Sequence, residues 1–331
     1  MKAVLYLLSA AVTLCVVSTA AADVIKLGSI APEGSPWHEV LEDMGQQWNE
    51  ISDGQITLRI YAGGVAGDES DMVRKMRVGQ LHAATLSAGG LPDITPEFRA
   101  LQMPMIFASY EELDYVRDRI APELELLARD RGFTVLTWGD AGWLHFFTKT
   151  PVTTPDDLKP LPLFTWFGNS AFVDAWKSAG FRPIALAATE INAGLQSGLI
   201  DAVAVPPLIA LSYQWFAQTG HMTRINWVPL VGAIVISNDV WDAIDPDLRE
   251  DLLLVAQDAG RRMRGDVRAL SEEAIAVMEG YGLEVHDVPP EVEAEWTQAA
   301  IAGSEMLVGT LIPAEIMDKV VRYRDDFRSQ Q

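Results

Sequence analysis

The side chains best suited to metal chemistry are few and scattered along this sequence. Its five histidines are His38, His82, His145, His221 and His286. No two of them have the spacing that would let one helix or one strand present both to the same metal ion. The sequence therefore predicts neither a metal site nor a bound cofactor.

One segment resembles part of a serine nucleophile site. Gly168–Phe172 begins like a nucleophile elbow, but the glycine that should close the turn is absent. The one cysteine, Cys15, lies in the apolar N-terminal segment, so a mature chain without that segment carries no thiol. We therefore predict that the protein is not an enzyme.

A glycine-rich loop, Ala62–Gly67, stands between a predicted strand and a predicted helix, which is the position of a phosphate cradle. Asp68, Glu69 and Asp71 follow the loop at once. Because carboxylates would occupy the positive end of the helix dipole that a phosphate needs, the loop is better interpreted as a tight structural turn.

The elements that must position these side chains alternate between strand-like and helical patterns, which indicates an α/β fold. The predicted strands are 25–30, 55–61, 83–87, 134–139, 163–166, 183–186, 201–205 and 232–237. The predicted helices are 36–52, 69–78, 110–131, 170–179, 189–198 and 246–281. The last of these far exceeds the usual length of a globular helix, so it could brace two lobes.

The N-terminus has the three parts of a signal peptide. Lys2 precedes an apolar run at residues 3–17, and small residues fill 18–22. The run is too short to span a bilayer, and no charged stop-transfer cluster follows it, which disfavours a membrane anchor. We expect cleavage after Ala22 and export out of the cytoplasm.

The charge balance excludes several classes of partner. The chain has 25 Lys and Arg against 46 Asp and Glu, a formal net charge of −21. Such a surface repels nucleic acid and anionic lipid, because both need a positive field. The acidity could serve solubility or the docking of a partner protein.

Several short segments together resemble one family. They are Ser35–His38, Gly63–Glu69, Leu101–Phe107, Thr153–Lys159, Thr189–Ile191, Gly194–Gly198 and Asp201. In order and spacing they resemble the motifs of solute-binding proteins of tripartite ATP-independent periplasmic (TRAP) transporters, the DctP type. The resemblance covers nearly the whole mature chain.

The resemblance implies a two-lobed periplasmic binding protein of type II, a Venus flytrap with a long helix spanning both lobes. We expect lobe I to comprise residues 23–145 and 232–275, and lobe II to comprise 146–231 and 276–331. It also implies a ligand held between the lobes, and a permease of one small and one large membrane subunit as partner. No nucleotide is expected, and we expect a monomer.

Three positions depart from the family pattern. Where the family carries an arginine that clamps a substrate carboxylate, this chain has Phe164, and a second arginine position is Leu144. The family's Gln-Glu-Asn before a proline is Val203–Val205 here. The sequence therefore predicts an apolar pocket lined by aromatic side chains. The candidate ligand-binding residues are Trp37, Ser87, Gly89, Trp138, Trp143, His145, Phe164, Trp166, Phe167, Asn169, Pro206 and Trp215.

We expect a receptor that captures a small organic acid or an aromatic or apolar compound. An acid could still be held by His145, Asn169, Arg74 or backbone N–H groups. Two other functions stay open at this point. The same flytrap could serve as the sensor subunit of a membrane kinase, and a secreted hydrolase would need a convergent nucleophile and base that the sequence does not show.

Overall fold

The computed structural model describes residues 23–166 and 170–331. The predicted signal peptide and the candidate residues Phe167 and Asn169 lie outside the described residues. Among those described, no helix combines the length and the apolar character needed to cross a membrane.

The strands form two sheets, one for each lobe. The strands are β1 (Asp23–Gly28), β2 (Ile56–Tyr61), β3 (Ala83–Leu86), β4 (Phe133–Trp143), β5 (His145–Thr148), β6 (Pro162–Trp166), β7 (Arg182–Leu186), β8 (Ala202–Val205), β9 (His221–Arg224), β10 (Pro229–Ser237) and β11 (Glu284–Asp287). The first sheet has the order β2-β1-β3-β10-β4 and the second has β11-β9-β5-β8-β6-β7.

Helices cover the faces of both sheets. They are α1 (Pro36–Ile51), α2 (Glu69–Arg77), α3 (Leu91–Ile94), α4 (Tyr110–Asp130), α5 (Pro155–Leu158), α6 (Ser170–Ser178), α7 (Ile191–Ser197), α8 (Pro207–Ser212), α9 (Phe216–Thr219), α10 (Asn238–Ala243), α11 (Pro246–Gly280), α12 (Pro290–Glu305) and α13 (Ala314–Arg328). Short 3₁₀ turns lie at Pro96–Gln102 and Ala188–Glu190. The two-lobed α/β architecture predicted from the sequence is confirmed.

Helix α11 joins the two lobes. Asp245 caps its N-terminus by accepting from the backbone N–H groups of Asp247 and Leu248. Residues along its first two thirds, such as Leu252, are buried in a core beside the first sheet. Near its C-terminal end, Ile275 and Met278 are buried in the core of the second sheet. One rigid element therefore fixes both cores, as the length of the sequence pattern predicted.

The last helix departs from the predicted division of the chain. We expected residues 276–331 in lobe II, but Ile316 and Val320 of α13 are buried in the core cluster that includes α4 of lobe I. Lys319 Nζ also binds the Glu123 carboxylate of α4 at 2.8 Å. The apolar face of α13 packs against α4, so this helix is part of lobe I. The other predicted boundaries stay a prediction.

Candidate ligand-binding site

A cavity of about 140 Å³ lies between the two sheets. Its walls include residues at or just after the carboxyl ends of β1, β3, β6 and β8, namely Ser29, Ser87, Trp166 and Val205. Ligands of open α/β sheets bind outside the carboxyl ends of the strands, because the loops there converge on one crevice. The cavity is therefore placed where this fold holds a small molecule.

The wall from lobe II is apolar and aromatic. Phe164 and Trp166 lie two residues apart on β6, so their side chains point to the same face, with ring centroids 5.3 Å apart in an edge arrangement. Tyr213 stacks on Trp215 with centroids 4.8 Å apart. Other residues of this wall are Ala188, Ile191, Ala204, Val205, Ile209 and Leu230. Such a wall offers a large contact area and few polar groups.

The positions that depart from the family pattern meet in this cavity. Leu144, Phe164, Ala204 and Val205 all line it, although they come from different segments of the chain. Among the described residues that line the cavity there is no arginine, lysine or histidine. The described lining of this cavity therefore offers a carboxylate no cationic side chain, while Arg99 lines an adjoining pocket that shares Leu144, Phe164 and Trp166.

The wall from lobe I carries most of the polar groups, and these groups bond to one another. Glu69 accepts hydrogen bonds from the backbone N–H and the hydroxyl of Ser87, both at 2.7 Å. Thr85 Oγ1 donates to Ser29 Oγ at 2.9 Å. Burial raises the pKa of Glu69 to about 7, although the bonds from Ser87 act in the opposite direction. This wall is thus internally satisfied.

A second acid on the lobe I wall is held by an ion pair. Asp140 binds Arg268 Nη2 at 2.6 Å, and the same guanidinium binds Asp114 at 2.6 and 2.9 Å. Arg268 also lies over the ring of Tyr110, 4.1 Å from its centroid. Burial raises the pKa of Asp140, and the charge of Arg268 opposes that shift. The Arg268 guanidinium is therefore occupied by two carboxylates.

The lobes touch beside the cavity. The hydroxyl of Tyr213 donates to the backbone carbonyl of Ile30. A Cβ atom placed on Gly89 would lie 2.9 Å from the ring of Trp166, and one on Gly64 would lie 2.9 Å from Thr189 Cγ2. Gly64 also has a φ of 75°, a left-handed conformation that glycine adopts readily. Glycine is thus needed where the two lobes meet.

Five of the predicted site residues line the cavity, namely Trp37, Ser87, Phe164, Trp166 and Trp215. Trp37 is placed there by α1, whose first turn is capped by the Ser35 hydroxyl. Gly89 lies directly behind the Trp166 ring. Of these, Trp37 belongs to a family motif, and Phe164 is itself a departure from the family pattern with Trp166 two residues away.

The structure does not bring Trp138, Trp143, His145 or Pro206 to the cavity lining. Side chains alternate along a strand, so Thr137 and Gly139 face the cavity while Trp138 faces α4, where its Nε1 donates to Glu125 at 2.7 Å. Trp143 packs against Tyr110 at 5.6 Å. His145 is buried, and burial lowers its pKa to about 4, so it is neutral at pH 7 and cannot serve as a cation.

Sequence reasoning missed several contributors to the site. Tyr213, Leu230 and Glu69 line the cavity but were not among the candidates. Tyr213 stands two residues before Trp215, so the aromatic pair was a usable signal. Glu69 was interpreted only as a residue that disfavours phosphate. Arg74, considered as an anion holder, pairs with Asp71 at 2.6 Å on the exposed surface.

Comparison with sequence families gives one match over most of the chain. The family described as bacterial extracellular solute-binding protein, family 7 (DctP), matches residues 27–304. The 2,3-diketo-L-gulonate-binding periplasmic protein YiaO of Escherichia coli K12 is 24% identical over 273 residues, covering 81% of this chain and 82% of YiaO. The C4-dicarboxylate-binding periplasmic protein DctP of Rhodobacter capsulatus is 24% identical over 280 residues, covering 83% of each chain.

Solved structures with this architecture include TRAP solute-binding proteins. One from Pseudomonas putida F1 with bound D-glucuronate is 25% identical, with a TM-score of 0.80 and coverage of 90% of this chain and 96% of that one. The sugar acid binding protein DctPAm of Advenella mimigardefordensis, in complex with galactonate, has a TM-score of 0.87 at 18% identity. The match covers 92% of this chain and 98% of DctPAm.

Proposed function

Because this chain belongs to the bacterial extracellular solute-binding protein family 7 (DctP), we propose that it captures a small solute with a large apolar or aromatic part and delivers it to a TRAP permease. The family consists of periplasmic receptors that bind small molecules, work with membrane permease subunits and catalyse no reaction.

The observation that supports this ligand class is the meeting of Leu144, Phe164, Ala204 and Val205 in one cavity. The family resemblance places arginines at the first two of these positions. A carboxylate buried here without a cationic partner would lose its hydration with little in return, and unpaired buried charges are destabilised by several kcal/mol. The site therefore favours solutes whose buried part is uncharged.

The size of the cavity agrees with a ligand of about one ring. An engineered apolar cavity of roughly 150 Å³ in another protein stays dry and binds benzene. The rings of Trp166, Phe164 and Trp215 could contact an aromatic ligand in the offset or edge geometry that aromatic pairs prefer. Glucuronate, galactonate and C4-dicarboxylate are ligands of the relatives that bind them. The sequence identity of those relatives to this chain is at most 25%.

A thermal-shift screen tests the proposal. The panel contains dicarboxylates, sugar acids, aromatic acids and neutral aromatics. Saturation at a hundred times the dissociation constant stabilises a protein by about 2.7 kcal/mol, which such a screen detects. We expect stabilisation by aromatic compounds, and mass spectrometry of co-purified ligand should identify the same class. Stabilisation by small dicarboxylates or sugar acids alone would contradict the proposal.

Delivery to the permease needs its own experiment. The small and large membrane subunits, reconstituted in vesicles, should take up the identified solute only when this receptor is present. If the receptor binds the solute but uptake does not depend on it, the transport role is wrong while the ligand class stands.

A further inference from the structure

Two histidines that are 65 residues apart in sequence meet at the outer edge of the second sheet. His221 is the first residue of β9, and His286 lies in β11, the edge strand of that sheet. His221 Nδ1 lies 3.1 Å from His286 Nε2. The two strands pair in parallel with Glu284 opposite His221.

Glu284 completes a set of three metal-ligand types on one face. It stands two residues before His286 on the same strand, so both side chains point to the same side of the sheet. One carboxylate oxygen of Glu284 lies 3.5 Å from His221 Nδ1. The three candidate ligand atoms all lie within 4.8 Å of one another.

We propose that His221, Glu284 and His286 form a binding site for a divalent first-row metal ion, with Zn²⁺ as the best fit. Two imidazoles and one carboxylate are a common ligand set for Zn²⁺, with a water molecule in the fourth position. Ligand atoms on a tetrahedral zinc with bonds of about 2.0 to 2.1 Å lie about 3.3 Å apart. The spacing of the two imidazole nitrogens is thus close to what the ion requires.

The surroundings favour a cation at this point. The side chain of His221 is 17% exposed, whereas Glu284 is 68% exposed and free to turn toward an ion. The neighbouring cation, Arg224, is held by Glu272 at 3.2 Å and by Asp287 at 3.3 Å. An added positive charge would therefore meet Glu284, while the Arg224 guanidinium is already paired with two carboxylates.

The site is separate from the ligand cavity, because none of its three residues lines that cavity. A metal ion bound here would link β11 to β9 and so fix the edge strand that follows α11. The function of the ion is therefore to stabilise lobe II, because metal binding to a folded site adds directly to the free energy of unfolding.

Titration of the metal-free mature chain with ZnCl₂ tests the proposal. We expect saturable binding of one Zn²⁺ per chain by calorimetry, with a rise in the unfolding temperature. Ni²⁺ and Cu²⁺ should also bind, because imidazole suits them, whereas Mg²⁺ and Ca²⁺ prefer all-oxygen sites and should not. Absence of saturable Zn²⁺ binding to the wild type would overturn the proposal and show the contact to be a hydrogen bond between the two rings.

Matched variants locate the ion. His221→Gln and His286→Gln should each weaken Zn²⁺ binding at least a hundredfold, and Glu284→Gln about tenfold. His82→Gln, a histidine of lobe I, and Glu279→Gln, an exposed acid near the end of α11, should bind Zn²⁺ like the wild type. Undiminished binding in the His221→Gln/His286→Gln double variant would place the ion elsewhere and refute the site.

Discussion

The two walls of the ligand cavity differ in whether their side chains are polar and already hydrogen-bonded or apolar. On the lobe I wall, Glu69 is bonded to Ser87, Thr85 to Ser29, and Asp140 to Arg268. On the lobe II wall, the side chains are mainly aromatic and aliphatic, with ring contacts but few polar bonds. The lobe I groups therefore fix the shape of the cavity, whereas the lobe II wall presents surface that a ligand can cover.

This difference between the walls indicates which lobe determines the choice of ligand. A typical hydrogen bond contributes only about 0.5 to 1.5 kcal/mol net, and less is gained when the partner must first give up an existing bond. Apolar surface contributes roughly 25 cal/mol for each Å² removed from water, and a single aromatic side chain can bury 150 to 250 Å². The choice of ligand should therefore follow changes in lobe II more than changes in lobe I.

The largest effect is expected from a cation placed in the lobe II wall. Phe164→Arg should weaken binding of the aromatic ligand about a thousandfold, because an apolar ligand would bury the new charge without a partner. The same variant should gain affinity for D-glucuronate through charge-assisted hydrogen bonds. Calorimetry with both ligands measures the reversal.

Two variants separate this effect from a general loss of folding. Leu199→Arg adds the same charge to lobe II at a position that is 50% exposed, and it should leave binding unchanged. Phe164→Leu keeps the position apolar and should keep the preference for aromatic ligands. An unaltered ligand preference in a folded Phe164→Arg protein would show that lobe II does not set selectivity.

A pH experiment tests whether Glu69 is buried with a raised pKa in the folded protein. Its pKa is raised to about 7 in the folded protein from the usual 4.5, so the folded state holds the proton more tightly than the unfolded state. Its contribution to stability is complete below pH 4.5 and is lost as the pH rises to about 7. A shift of this size corresponds to about 3 kcal/mol.

We expect Glu69→Gln to remove this part of the pH dependence. Comparison of wild type and variant isolates Glu69, because His145, whose depressed pKa gives the opposite slope, is present in both. Denaturant unfolding between pH 4.5 and 7.5 supplies the free energies. If the free energies of unfolding of the two proteins changed with pH in parallel, Glu69 would have an ordinary pKa and would not be buried in lobe I.

A pair of substitutions compares the walls directly. Trp166→Ala should weaken the aromatic ligand about thirtyfold, or about 2 kcal/mol, because buried tryptophans dominate binding energy at contact surfaces. Thr85→Val, which removes a hydroxyl that is bonded to Ser29, should weaken it less than fivefold. Equal losses of ligand affinity in the two variants would contradict the conclusion that lobe II contributes more to ligand binding than lobe I.

Much of the fold was predictable because its patterns are local. The alternation of strands and helices and the length of α11 follow from runs of residues that each element contains. The packing of α13 against α4 of lobe I was not predicted, since the apolar pattern of a helix does not tell which partner covers it. Trp138 and Trp143 do not line the cavity, and nearness in sequence does not reveal which face of β4 a side chain takes. The meeting of His221 and His286 depends on the parallel pairing of β9 with β11, which spacing within one element cannot show.

A smaller effect than that of Trp166→Ala is expected at the contact between the walls. A methyl group on Gly89 would lie 2.9 Å from two ring atoms of Trp166, so Gly89→Ala must displace that ring or hold the lobes slightly apart. We expect about tenfold weaker ligand binding, measured by calorimetry, with little change in unfolding temperature because the backbone of Gly89 does not require a positive φ. Gly265→Ala is the matched control, since its new methyl group on α11 would meet no atom within 4 Å. If both alanine variants bind the ligand equally well, the rings of lobe II adjust freely, and the lobe I wall does not hold Trp166 in place.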